Sequence, residues 1–118
     1  MEDFKNKFNF LKRESEVKRV KLKYPNKIPI YLTKGKLNNT MEEFEKKKFL
    51  VSGGMKMISF VNTIKNQFKL NSDDTLFLMI NDKMMADNSE SISNVYDKYK
   101  DDDGFLYISY YQENAFGK

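Results

Sequence analysis

The 118-residue sequence contains no cysteine and no histidine. Without cysteine there is no disulfide and no thiol nucleophile. Without histidine the commonest general acid–base and the commonest metal ligand are missing. Carboxylates remain, notably Asp101, Asp102 and Asp103 beside Gly104. An acidic run next to a glycine reads as a solvated turn, and no spacing matches a zinc site, a P-loop or a nucleophile elbow. The stretch "SGG" at 52–54 is too short to read as a phosphate loop. No apolar run approaches the ~18 residues of a membrane-spanning helix. The first ten residues lack the continuous apolar stretch of a secretion signal. The expectation is a cytosolic protein that is not an enzyme and needs no metal or cofactor.

What is present is a folded, unevenly charged chain. Hydrophobic residues make up 40%, too many for simple disorder, and the length suits one domain with one core. Residues 1–50 carry 14 Lys and Arg against 7 Asp and Glu, a net of +7, whereas residues 51–118 carry 7 against 10, a net of −3. A basic front half suits nucleic acid, anionic lipid or acidic proteins, or is a solvated helix face. Stacking aromatics are not interleaved with the basic residues of 5–23, so nucleic acid is not the expected partner.

The periodicities give the elements. Phe4 and Phe8 stand at i, i+4 in a short aromatic segment. The run "NFLKRESEVKRVKLKYP" reads as a basic helix with Val17, Val20 and Tyr24 on one face, closed by Pro25. Phe4, Phe8 and Phe10 are expected to pack these two helices onto the core, with every Lys and Arg in solvent. "KIPIYLTK" reads as a strand that, by Pro29, begins there or lies near an edge, and "KKFLVS" as a second strand broken by Gly53 and Gly54. Met57, Val61, Ile64 and Phe68 form the stripe of the clearest helix. "DTLFLMI" is nearly continuous in apolar residues, so a central strand covered on both faces is expected. Asn81-Asp82 turns the chain. A short helix follows, with Ser89 or Ser91 as its cap and Ile92, Val95, Tyr96 and Tyr99 on one side. "FLYISYY" is the last strand. Without the two leading helices the order is ββαβαβ. That order suits a ubiquitin-like β-grasp, although other small α+β folds share it.

Several stretches together carry a family resemblance. "KYPNKIPI", "KKKFLV", "LFLMIND", "VYDKYKDDDGFLYISY" and "ENAFG" follow one another in order over nearly the whole chain. The chain resembles the autophagy ubiquitin-like modifiers, the family of autophagy-related protein eight, the GABA-receptor-associated protein and microtubule-associated light chain three. The resemblance implies an α+β ubiquitin-like β-grasp with two additional N-terminal helices and a four-stranded mixed sheet. It implies a helical extension at 1–24, a ubiquitin-like domain at 25–115 and a conjugation tail at 116–118, within one structural domain.

The resemblance also implies a function. In that family a cysteine protease trims the chain after one glycine. Activating and conjugating enzymes then pass the exposed carboxylate to phosphatidylethanolamine. Here Phe116, Gly117 and Lys118 would form the cleavage site, with Gly117 the conjugated residue, and the chain would be monomeric before lipidation. A glycine suits this role because its backbone enters a narrow tunnel where a side chain would clash. The family also binds extended peptides of the form aromatic-x-x-aliphatic, from cargo receptors, along its second strand. Glu16, Val20, Pro29, Tyr31, Lys48, Leu50 and Phe105 would form the first pocket; Phe49, Val51, Met55, Phe60 and Ile64 the second. Phe60 and Ile64 read equally well as plain core. Three departures bear on these sites: Tyr31 replaces a small aliphatic residue, Ser52-Gly53-Gly54 replaces a segment that usually begins with Pro, and Lys27 and Lys65 stand where Arg is common. The competing readings are an unconjugated ubiquitin-fold interaction domain and a microtubule binder acting through residues 5–23.

Overall fold

The structure, a computed structural model, describes residues 2–36, 43–70 and 74–113. Its elements are α1 (Glu2–Lys7), α2 (Phe10–Lys23), β1 (Lys27–Lys34), β2 (Lys48–Ser52), α3 (Met57–Phe68), β3 (Thr75–Ile80), α4 (Ile92–Tyr99) and β4 (Leu106–Glu113). The strands form one sheet in the order β2-β1-β4-β3. β1 runs parallel to β4, and the two outer pairings are antiparallel. This is the mixed sheet of a ubiquitin-like β-grasp, with α3 against one face.

Local chemistry sets the element ends. Asn9 caps α2 by accepting from the Lys12 N–H at 2.9 Å, and Ser91 caps α4 by accepting from the Asn94 N–H at 3.1 Å. Lys69 closes α3 in the left-handed region at φ 54°. Asn81 and Asp82, at φ 53° and 60°, turn the chain after β3. Asn and Asp tolerate that region better than most residues.

Side-chain alternation puts a separate apolar cluster on each face of the sheet. On the α3 face, Ile28, Ile30 and Leu32 of β1 meet Phe49, Val51, Leu76, Leu78, Ile80, Leu106, Ile108 and Tyr110 from the other strands. Met57, Phe60, Val61 and Ile64 of α3 close this cluster. On the opposite face, Phe4 and Val17 from the leading helices pack on Tyr31, Phe105 and Tyr107, with Phe8 at the margin. This second cluster explains why β1 is buried without interruption from Ile28 to Leu32. Gly104 permits the close approach of α2. A Cβ there would lie 2.6 Å from Val17 Cγ1, and its φ of +95° disfavours any side chain.

Several expectations are corrected. β3 is an edge strand, not a central one. Its apolar run arises because Leu76, Leu78 and Ile80 face the core while Phe77 stacks on Tyr111 on the other face, ring centres 5.6 Å apart. β1 is an inner strand despite Pro29. The β4 ladder begins only at Ile30↔Leu106, so Pro29 lies before it. Phe10 is 40% exposed and Tyr24 is an exposed helix C-cap, so neither packs as expected.

The acidic run is not a solvated turn. Only Asp102 is exposed. Asp103 is buried and accepts from Arg13 Nε at 2.8 Å, from the Tyr107 hydroxyl at 2.6 Å and from the Phe105 N–H at 2.8 Å. Arg13, expected in solvent, is buried and also donates to the Phe8 and Lys5 carbonyls. Asp101 accepts from Lys5 Nζ at 2.7 Å. Burial pushes the Asp101 carboxyl up, but the hydrogen bonds from Lys5 and the Asp103 N–H outweigh it and hold the group below its ordinary value. The DDD turn is thus the clamp that fastens α1 and α2 to the sheet.

Candidate functional site

The candidate site lies along β2. Among the described strands β1 is the one partner of β2, so its outer edge presents unpaired N–H and C=O groups. Burial alternates along the strand: Phe49 and Val51 point into the core, and Lys48, Leu50 and Ser52 point out. Leu50 is 40% exposed, a large apolar side chain on an open edge.

The first set of predicted residues converges beside Leu50, with only part of it on the surface. Glu16 of α2 and Lys48 of β2 form an ion pair at 2.9 Å. Val20 of α2 is half-buried. Pro29, Tyr31 and Phe105 are buried. What covers Tyr31 is Phe4, whose ring stacks on it with centres 4.2 Å apart and 18° between planes. Phe4 also meets Phe105 edge-on at 5.4 Å. These are favourable aromatic geometries. Burial raises the Tyr31 phenol above its ordinary pKa, so it stays neutral.

Phe4 and Phe8 therefore belong to this site, although the sequence reading assigned them only to packing. Lys48 Nζ stands 5.1 Å from the Phe4 ring centre and 5.8 Å from that of Phe8. An open depression of about 570 Å³ lies between them, lined by Phe4, Lys7, Phe8, Tyr31, Lys46 and Lys48. The i, i+4 spacing of Phe4 and Phe8 was the available signal. It marks an apolar face but not the strand it lands on.

The second set is mostly interior. Phe60 and Ile64 are fully buried, and Phe49 and Val51 nearly so. Phe49 meets Phe60 edge-on at 5.8 Å and stacks on Phe44 at 5.9 Å. Met55 alone of the five is partly exposed. Of the basic residues in 5–23, Arg13 and Lys5 are engaged by Asp103 and Asp101, which removes two charges from any basic face. Phe116, Gly117 and Lys118 lie outside the described residues, beyond β4. Among the described residues no helix is long and apolar enough to cross a membrane.

Comparison with known proteins places this geometry. A family described as "Autophagy protein Atg8 ubiquitin like" matches residues 12–117. The chain is 36% identical over 115 residues to autophagy-related protein 8 of Mycosarcoma maydis, covering 98% of this chain and 96% of that one. It is 37% identical over 114 residues to autophagy-related protein 8e of Arabidopsis thaliana, covering 97% and 92%. In three dimensions it is similar to the crystal structure of Trypanosoma brucei ATG8, with a TM-score of 0.86, 32% identity and 97% of each chain covered.

Proposed function

Because the chain belongs to the Atg8 family of ubiquitin-like autophagy proteins, we propose that it is conjugated through Gly117 to phosphatidylethanolamine and recruits motif-bearing partners along β2. The observation that carries the recruiting half is the open edge of β2 with Leu50 exposed beside the Glu16–Lys48 pair. An extended peptide adds there as a fifth strand. Main-chain hydrogen bonds supply affinity and the flanking pockets supply choice. The aromatic side chain sits over Leu50 against Phe4, Val20 and Lys48. The aliphatic one rests on Met55, above Phe49 and Val51.

Conjugation rests on the Phe116-Gly117 pair and on family membership. A processing cysteine protease cuts after Gly117 and removes Lys118, and activating and conjugating enzymes supply every nucleophile. The protein then divides between the cytoplasm and autophagosomal membranes. Intact mass from cells tests this reading. Loss of Lys118 with gain of one phospholipid is expected, and Gly117→Ala abolishes the gain while leaving thermal unfolding unchanged. Normal lipidation of the Ala variant refutes the assignment.

A further inference from the structure

β3 is the second edge of the sheet, and among the described strands β4 is its one partner. Hydrogen bonds at its end define which groups face out. The Ile80 N–H donates to the Met84 carbonyl at 2.6 Å, and the Met84 N–H donates to the Ile80 carbonyl at 3.3 Å, so the main chain of Ile80 faces away from β4. One residue later the Asn81 N–H donates to the Tyr107 carbonyl at 3.0 Å, toward β4. By that alternation Leu76 and Leu78 also direct N–H and C=O outward, whereas Thr75, Phe77 and Met79 direct theirs to β4.

This edge lacks the devices that keep edges apart. Thr75–Ile80 holds no charge, proline or glycine, in a chain that is 32% charged. The β2 edge, by contrast, opens on Lys46, Lys47 and Lys48. Beside β3 runs a groove of about 330 Å³, lined among others by Ile58, Val61, Phe77, Leu78 and Met85. Ile58 is 38% exposed and Met85 61%. Charges stand only at the two ends of the strand. Asp73 and Asp74 precede it and Lys83 follows it. Lys83 is exposed and has no ion-pair partner among the described residues. Asp82, in the same turn, is taken by the Ser109 and Tyr111 hydroxyls.

We propose that the β3 edge pairs with the β3 edge of a second copy of this chain, antiparallel about a two-fold axis through Phe77. A strand that is acidic at one end and basic at the other complements its own reverse, which is what a two-fold pair presents. Met84 already fills the outward groups of Ile80, which leaves Leu76 and Leu78. The register that uses both residues in both copies sets Leu76 against Leu78 of the second copy, with four main-chain hydrogen bonds in all. Phe77, its ring centre 5.6 Å from that of Tyr111, then faces its twin across a non-hydrogen-bonded pair, where aromatic side chains attract. Asp74 of each copy comes to the turn that carries Lys83 of the other.

A six-residue edge, about 20 Å long, covers less than the ~1,000 Å² of a stable interface. The chain is therefore monomeric when dilute and pairs where copies are crowded. Pairing leaves the two β2 edges at the outer margins of an eight-stranded sheet. On the groove reading above, one pair then grips two motifs of a single partner; the pairing itself does not rest on that reading.

The chain has no cysteine, so single introduced thiols report the register. Thr75→Cys and Met79→Cys lie on the face of β3 away from the core. In the pair, position 75 of one copy stands opposite 79 of the other with Cα atoms about 4.5 Å apart, within the reach of a disulfide. Like positions stand about 13 Å apart along the strands. With oxidised glutathione as oxidant, a concentrated mixture of the two whole-chain variants is expected to crosslink about tenfold faster than either variant alone. Adding Phe77→Lys to both sets like charges face to face and removes the advantage. Equal rates in the mixture and in the single variants overturn the proposal, as does a preference for like positions. Sedimentation equilibrium gives a second reading without thiols. The average mass of the unaltered chain rises as its concentration approaches millimolar, and that of Phe77→Lys does not. An unaltered chain that keeps the mass of one copy throughout, or association that Phe77→Lys leaves intact, overturns the proposal. An aromatic-x-x-aliphatic peptide leaves the crosslink unchanged; a peptide that suppresses it assigns the β3 edge to peptide and overturns the self-pair.

Discussion

Replacing Arg13 by Met removes the cation from the buried clamp. Arg13 and Asp103 side chains are 8% and 0% exposed. The substitution leaves the Asp103 carboxylate without its counter-charge in a site water does not reach. Breaking such a pair from one side costs about 3–5 kcal/mol. Asp103 keeps the Tyr107 hydroxyl and the Phe105 N–H, which places the expected loss near 3 kcal/mol. For a urea slope of roughly 1–1.5 kcal/mol per molar, that moves the unfolding midpoint down by about 2–3 M. Circular dichroism against urea reads it. The charge explanation carries a second requirement. Adding Asp103→Asn removes the stranded charge, keeps one acceptor oxygen for the Phe105 N–H and turns an NH2 to the Tyr107 oxygen, which then accepts in place of donating, so the double variant should recover at least half the loss. A single-variant cost below about 1 kcal/mol, or a double variant no better than the single, refutes the reasoning.

Three further outcomes are expected. Leu50→Ala weakens an aromatic-x-x-aliphatic peptide by about 1–3 kcal/mol through lost apolar contact, read by calorimetry; an unchanged Kd removes Leu50 from the groove. Phe4→Ala destabilises the fold by about 3–5 kcal/mol and uncovers Tyr31 and Phe105, so a Trp-centred peptide gains affinity relative to a Phe-centred one; an unchanged ratio shows that Phe4 does not limit the pocket. Hydrogen bonds from Tyr111 and then Ser109 depress the Asp82 pKa despite burial, so its stabilisation is full above the ordinary carboxylate value of ~3.9 and is lost as pH falls through the depressed one. Asp82→Asn should flatten that acid limb in a melting-temperature series from pH 2 to 6, and an unchanged limb assigns it to other carboxylates.

The elements were legible wherever period and punctuation agreed. The α3 stripe follows from spacing, and residue type narrows the α4 cap to Ser89 or Ser91, of which the structure selects Ser91, because both signals are local. Strand placement was not legible. An inner strand and an edge strand differ in what lies beside them. Phe77 made β3 look doubly covered because Tyr111 stacks on it from β4, thirty-four residues later. Pro29 pointed to an edge because the sequence does not reveal that the β4 ladder starts one residue beyond it. The acidic turn failed for the same reason: nothing near Asp103 in sequence announces Arg13, ninety positions earlier. Within the site, the alternation of Lys48, Phe49, Leu50 and Val51 was readable from period alone. The cover on Tyr31 was not, since Phe4 arrives from another helix.

The clamp and the groove are one structure. Asp103 holds Arg13 and the Phe105 N–H, Phe105 meets Phe4 edge-on, and Phe4 stacks on Tyr31. A ligand ring reaching for Tyr31 must therefore displace Phe4, whose burial contributes about 1.5–3 kcal/mol. At 1.4 kcal/mol per tenfold, displacement weakens binding by roughly ten- to a hundredfold against a ligand that leaves Phe4 in place. The favoured solution is an aromatic side chain seated on Phe4 and Leu50 beneath Lys48, not one inserted under α1. Tyr31 then shapes the pocket indirectly. A small aliphatic residue there would leave Phe4 without its stacking partner, whereas tyrosine gives α1 a reason to stay docked while the edge of β2 is occupied.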